Sequence, residues 1–316
     1  MARLLRPLIA VPALGAALYG AAVAWLWFRQ ERLLFEPDPL PGDDALFTDT
    51  DVHEFMVDVP GARLSVAQLK LPDPRGVVFY LHGNSGNLRK WFVGLDAFRE
   101  LGFDVVMMDY RGFGRSSGRI ESEAQLRADV RAVWNAIATQ YEGRRIVISG
   151  QSLGTGLAAN LGAELCSAGC PPDLALLISP YSSMRALADE HYPWVPSAVL
   201  RYPLQTVQHA NKLSCPVMLV HGDRDELIGH HHSEAIRKLL PQCRLVLLEG
   251  AGHSDVHEHP SFRQHVSTAL AGLAGLAATT AELAATSAGL AVESAQLAAA
   301  KVSYAASGQA PTARLP

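Results

Sequence analysis

The sequence predicts an α/β fold, a mostly parallel sheet with helices on both faces. Three observations carry that prediction. Short aliphatic runs (Val77–Leu81, Phe103–Met108, Ile146–Ile148, Pro216–Val220, Leu245–Leu248) alternate with longer stretches whose apolar residues recur at helical spacing. The chain has 316 residues, 49% of them hydrophobic, enough to bury one large core. Loops bearing Ser, Asp and His follow three of the runs, at the carboxyl ends where open α/β sheets bind ligands.

The N-terminal stretch from Leu8 to Phe28 is uncharged, and its 21 residues would reach about 31 Å as a helix, the thickness of a bilayer's hydrocarbon core. Arg3 and Arg6 precede it, Trp25, Trp27 and Phe28 close it, and Arg29 and Arg32 follow. The expectation is an uncleaved single-pass transmembrane anchor with its juxtamembrane segment, residues 1–35. The alternative is a signal peptide cleaved after Ala22-Val23-Ala24. The flanks carry two arginines each, and the N-terminal amine tips the balance to an N-terminus inside; the anchor in that orientation and the signal peptide both export the rest of the chain, so the main domain is expected on the extracytoplasmic side.

Three prolines between Glu36 and Pro41 mark a linker. Val52–Val59 and Leu64–Leu71 then form an antiparallel pair turning at Pro60-Gly61. The strand Val77–Leu81 leads into His82-Gly83-Asn84-Ser85-Gly86-Asn87, and Leu88–Leu101 reads as a helix. The strand Phe103–Met108 ends at Asp109-Tyr110-Arg111-Gly112, where Arg111 is a structural ion-pair partner or touches substrate. Glu121–Tyr141 has helical spacing (Leu126, Val130, Val133, Trp134, Ile137) and acids at its start.

Ile146-Val147-Ile148 ends at Gly150-Gln151-Ser152-Leu153-Gly154, and the small-residue segment Thr155–Leu165 follows as a helix. Strand, sharp turn and helix are what a nucleophile elbow requires, with the glycines allowing the backbone to reverse tightly under Ser152. Tyr181–Leu213, rich in aromatics and prolines, is an ordinary helical connection or a small cap. The last two strands lead into His221-Gly222-Asp223-Arg224-Asp225 and into Gly250-Ala251-Gly252-His253. His230, His231 and His232 are expected on the solvated start of a helix reaching Leu240, and His257 and His259 on the helix after residue 253. From Ala269 the composition turns to Ala, Leu, Thr, Ser and Gly, with Leu276, Leu283, Leu290 and Leu297 at seven-residue spacing. Residues 274–316 are read as a low-complexity tail, and 36–273 as one domain.

Composition removes several classes of function. A net charge of −4 and a pI near 6.3 give no basic face for nucleic acid. Cys166, Cys170, Cys215 and Cys243 lack zinc-site spacing. They are read as buried thiols, with a Cys166–Cys170 disulfide left open for an oxidising compartment. Adjacent histidines on a helix cannot all face one ion, so no metal is expected.

A serine hydroxyl needs a base oriented by a third group, and the chain order Ser152, then Asp223 or Asp225, then His253 supplies both. Backbone N–H groups must also meet the developing oxyanion. Leu153, directly after Ser152, is one candidate, and Asn84 in the loop after Val77–Leu81 is the second, ahead of Ser85.

These motifs, together with Asp109-Tyr110-Arg111-Gly112-Phe113-Gly114 and Ser179-Pro180-Tyr181-Ser182-Ser183, resemble the α/β-hydrolase superfamily over roughly Gln30 to Leu273. More narrowly they are similar to its Bem46-like group of membrane-anchored hydrolases, with ABHD13-like and ABHD17-like members. The resemblance implies the α/β-hydrolase fold, a mostly parallel eight-stranded sheet with a small cap. It selects Asp225 over Asp223 as the acid beside His253, and the Gln30–Phe35 segment agrees with an anchor directly before it. The implied activity is that of a membrane-anchored serine hydrolase cleaving carboxylic esters or thioesters of a small-molecule or lipid-like acyl substrate, without a cofactor. A serine peptidase of the same fold and a catalytically silent binding protein are the alternatives.

Overall fold

A computed structural model describes residues 2–42, 45–240 and 243–273, with side chains from 13 onward. The chain divides into two compact units at Val256/His257. The expected low-complexity tail, 274–316, lies outside the described residues.

The first unit opens with a 33-residue helix, α1 (Ala2–Leu34). Among the described residues no helix is long and apolar enough to cross a membrane. The expected anchor is therefore not met by what is described.

The expected linker is more ordered than its prolines suggest. Glu36–Pro37 forms a short strand, β1, pairing in parallel with β5 (Ser85–Gly86). β2 (Val52–Val59) and β3 (Ala62–Leu69) are the expected antiparallel pair, turning at Gly61 with φ 78°. β4 (Gly76–Leu81) leads to β5, then to α2 (Leu88–Trp91) and α3 (Asp96–Leu101). The single helix expected there is broken over residues 92–95, where Phe92 leaves helical angles with ψ 65° and Gly94 takes a φ of 68° that favours glycine. β6 (Phe103–Met108) and α4 (Glu123–Ile137) follow, α4 capped by the Ser122 hydroxyl accepting from Gln125 N–H. Next come β7 (Arg145–Gln151), α5 (Leu153–Ser167), β8 (Leu174–Ile178), α6 (Met184–His191), α7 (Thr206–Ala210), β9 (Val217–Gly222), α8 (His231–Leu239) and β10 (Arg244–Leu248).

Among the described residues eight strands form one sheet in the order β10-β9-β8-β7-β4-β6-β3-β2. The six from β10 to β6 run parallel, and the β2–β3 hairpin closes one edge antiparallel. Every residue of β4, β6, β8 and β9 is buried, so the sheet centre is covered on both faces, as parallel strands require. Val77, Phe79, Leu81, Val106, Ile148, Leu177 and Leu219 meet Leu126, Val130, Val133, Leu153, Leu157 and Leu161 in one core. Each fully buried aliphatic side chain contributes about 1.5–3 kcal/mol. This core holds β7, and with it Ser152, in the middle of the sheet.

The second unit's described part is residues 257–273, with α9 at Pro260–Leu273. His257 and His259, expected on a helix, lie in the turn before it, because Pro260 sets the first helical position.

Candidate active site

The β7–α5 turn is built by two close backbone approaches. A Cβ on Gly150 would lie 2.3 Å from the Gly154 carbonyl oxygen, and one on Gly154 would lie 2.0 Å from that of Leu81. No other residue fits either position. Between them Ser152 has φ 51° and ψ −119°, and its N–H donates to Ile178 O at 2.9 Å. Thr155 donates from both its N–H and its hydroxyl to Ser152 O, locking the turn.

Ser152, His253 and Asp225 come together at the carboxyl ends of β7, β10 and β9. Ser152 Oγ lies 3.1 Å from His253 Nε2, and His253 Nδ1 lies 2.7 Å from Asp225 Oδ2. A carboxylate can only accept, so Nδ1 carries the proton and Nε2 accepts from the serine hydroxyl. Asp225 is buried: its Oδ1 accepts from the N–H groups of Leu227 and Ile228, and its Oδ2 is 3.3 Å from His221 Nε2. Burial alone would raise this carboxyl, but hydrogen bonds from His221 and His253 hold it well below the usual carboxylate range. His221 is fixed in turn, since its Nε2–H donates to Ile228 O and its Nδ1 accepts from the Ser233 hydroxyl. Asp223 has a different partner. Its Oδ1 accepts from Gly250 N–H at 2.6 Å and laces the Asp225 loop to the His253 loop. The motif signalled Asp225 and His253, but nothing in the spacing signalled the His221–Ser233 support behind them.

Leu153 and Asn84 flank the serine. Leu153 opens α5, where backbone N–H groups point along the helix axis. The 82–87 loop crosses Ser152, a Cβ on Gly83 falling 3.7 Å from the serine Cβ. Asn84 is held from the N-terminal side: Glu36 N–H donates to its carbonyl at 2.8 Å, and its side-chain amide donates to Leu34 O at 3.2 Å. Beneath the loop, Tyr110 O–H donates to His82 O, and Leu88 N–H donates to Asp109 Oδ1. Burial raises the Asp109 carboxyl, against the lowering influence of the His82 ring, whose Nε2 lies 3.5 Å from Asp109 Oδ1. The sequence marked Asp109 as part of a motif without showing this brace.

Arg111 makes the expected structural pair, gripping buried Asp129 in two hydrogen bonds of 2.6 and 2.9 Å. The 181–213 segment carries α6 and α7 and leaves Tyr192 and Trp194 exposed. It is tied to α1: buried Gln30 donates to Val199 O and accepts from Arg201 N–H, and Glu31 accepts from the Tyr202 hydroxyl. A cavity of about 610 Å³ lies between the end of α1 and Arg111–Glu121, lined by Phe28, Phe35, Arg111 and Arg201 and not by Ser152, Asp225 or His253.

All four cysteines are free, so the Cys166–Cys170 bridge is not formed. Cys166 Sγ instead accepts from Ser214 N–H at 3.4 Å, and burial pushes the nearby Cys215 thiol up to about 12. His232, expected in solvent, is buried; His230 faces Glu234, while His231 and His232 both turn to Glu190.

Three comparisons place these features among known proteins. The family described as serine aminopeptidase, S33, matches residues 72–202. Human α/β hydrolase domain-containing protein 17B is 30% identical over 215 residues, which are 64% of this chain and 70% of that one. The zebrafish (Danio rerio) lysophosphatidylserine lipase ABHD12 is 31% identical over 185 residues, 53% of this chain and 48% of that one. The crystal structure of a bacterial membrane phospholipase A superposes with a TM-score of 0.56 at 19% identity, covering 86% of this chain and 99% of that one, a likeness of fold.

Proposed function

We propose that this chain, which belongs to the α/β-hydrolase family as an ABHD-like member, is a serine hydrolase cleaving carboxylic esters or thioesters of acyl lipids through an acyl-enzyme. Ser152 Oγ attacks the acyl carbon while His253 Nε2 takes its proton. The N–H groups of Leu153 and Asn84 receive the oxyanion, each worth roughly 3–4 kcal/mol of barrier. Collapse of the tetrahedral species breaks the bond to the alcohol or thiol, which leaves with the proton from His253. Water, deprotonated by the same imidazole, then attacks the acyl-enzyme and releases the acid. Asp225 orients the ring and stabilises the imidazolium without taking the proton.

The observation that carries this reading is the hydrogen-bonded line from Ser152 Oγ through His253 to Asp225, 3.1 and 2.7 Å long. An ester of an acyl lipid is favoured by a relative named as a lipase. A second reading, cleavage of an N-terminal amino acid from peptides, is favoured by the name of the family matched over 72–202. A fluorophosphonate probe tests the serine chemistry: it should label the folded wild type and not Ser152→Ala, and an unlabelled folded wild type rejects the proposal. p-Nitrophenyl esters of graded chain length, run beside aminoacyl p-nitroanilides, then separate ester from amide.

The same proposal places the enzyme at a membrane, with α1 as the attachment. The uncharged run Leu8–Phe28 and the exposed Leu14, Leu18, Trp25 and Phe28 support it. After expression of the full chain, alkaline carbonate should leave it in the membrane pellet. Full release into the supernatant discards the anchoring while leaving the hydrolase reading intact.

A further inference from the structure

Outside the serine site, the end of α6 meets the start of α8 in a cluster of metal-ligating side chains. Glu190 Oε1 is 2.9 Å from His231 Nε2, and Glu190 Oε2 is 3.2 Å from His232 Nε2. The ligand atoms of all three lie within 4.8 Å of one another, and among the described residues no other group of three or more His, Cys, Asp or Glu side chains is so arranged. Consecutive helical residues normally point about 100° apart. Here the two imidazoles are instead stacked, centroids 4.5 Å apart and planes 30° apart. Gly229 makes room, since a Cβ there would lie 2.5 Å from His231 Nδ1.

We propose that Glu190, His231 and His232 bind a zinc-type dication that ties the 181–213 segment to α8. Two imidazoles and one carboxylate are a donor set suited to zinc rather than to calcium or magnesium, with water completing a tetrahedron. His232 is buried and Glu190 and His231 are partly exposed, at 2%, 40% and 58%, so the cluster has one fixed ligand and an entry path from solvent. His232 Nδ1 now accepts from Ser182 N–H at 3.2 Å; ligating histidines usually donate the other ring N–H to an oxygen, and Ser182 Oγ, 2.9 Å from the same Nδ1, is there to accept it once that N–H contact is given up. On binding, the His232 proton moves from Nε2, where it now faces Glu190, to Nδ1, and the freed Nε2 lone pair takes the ion. The next residue, Ser233, holds His221 behind Asp225. An ion here would fix the helix start on which the Asp225 loop ends.

The test uses the full chain, free of any affinity tag and stripped with chelator, titrated calorimetrically with zinc chloride. Wild type should bind one zinc per chain. Glu190→Gln, which keeps volume and hydrogen-bonding capacity, and His231→Asn should each weaken that binding at least about tenfold. Zinc should raise the melting temperature of wild type and not of the two variants, and cobalt should give the visible absorption of a tetrahedral site only in wild type. No saturable binding, or binding that either folded variant retains at full strength, overturns the proposal. The readout involves no turnover, so its failure is separate from any failure of the hydrolase reading.

Discussion

Ser152 sits in a region of backbone space that L-residues avoid, at φ 51° and ψ −119°. Such a conformation costs on the order of 1–3 kcal/mol and persists only where the surroundings over-determine it. Replacing the side chain with none should recover part of that cost. Ser152→Gly is therefore expected to melt higher than Ser152→Ala in the same buffer while both fail to react with a fluorophosphonate; an equal or lower melting point would mean that the turn stores no strain. Asp225 carries a second prediction at this scale. Asp225→Asn keeps an oxygen for the Leu227 and Ile228 N–H groups, now 3.0 and 2.7 Å from Oδ1, but loses the carboxylate that sets the His253 tautomer. Its kcat toward an ester substrate should fall by on the order of 10⁴, with the fold kept; a loss under tenfold would remove Asp225 from the proposed machinery. Ser152 and His253 were legible because each stands in the loop that directly follows an apolar strand, whereas Asp225 was set apart from Asp223 only by the family resemblance. Asp109 and His221 were not legible, for their roles depend on Leu88 and Ser233, 21 and 12 residues away, which only the folded chain brings near.

At the scale of elements, strands were read more accurately than the segments between them. β6 has the expected bounds because Phe103 and the apolar run Val105–Met108 have no other home than the sheet centre, where even Asp104 between them is buried. Leu88–Leu101 was misread because its apolar spacing continues across residues 92–95, and the backbone angles that break the helix there are invisible in that spacing. The 36–41 stretch was misread because prolines exclude only some strands. β1 needs just two residues and pairs along a short loop strand, β5. This pairing makes the end of α1 structural. Buried Gln30 at that end donates to Val199 O at 2.6 Å and accepts from Arg201 N–H at 2.8 Å. Gln30→Ala would strand both backbone groups and should cost about 1–3 kcal/mol in urea unfolding. A change within 0.5 kcal/mol would show water replacing the amide and α1 contributing little to holding the 181–213 segment.

The whole molecule's response to acid follows from where its histidines are buried. His209, on α7, is held down to about 4, first by burial and then by the positive charges of Arg127 and Lys212, with Glu164 opposing. An unfolded chain titrates the same imidazole near 6.5. As pH falls below 6.5 the unfolded state takes up a proton that the folded state refuses, so stability drops with pH until about 4, where both states are protonated and this contribution levels off. Asp225 acts in the same direction in a lower window. Its folded carboxyl titrates well below the unfolded range, so the stability it supplies is complete at neutral pH and is lost only as pH falls past the ordinary carboxylate range, near 3.9, toward the folded value. Melting temperature measured from pH 7.5 to 4.5 should therefore decline for the wild type, chiefly through buried histidines. His209→Gln, which stays neutral throughout, should decline less steeply, the two curves diverging in slope between pH 6.5 and 4.5. Parallel curves would mean that α7 opens to admit the proton without loss of the fold, and that the burial of His209 has no part in the acid sensitivity of the chain.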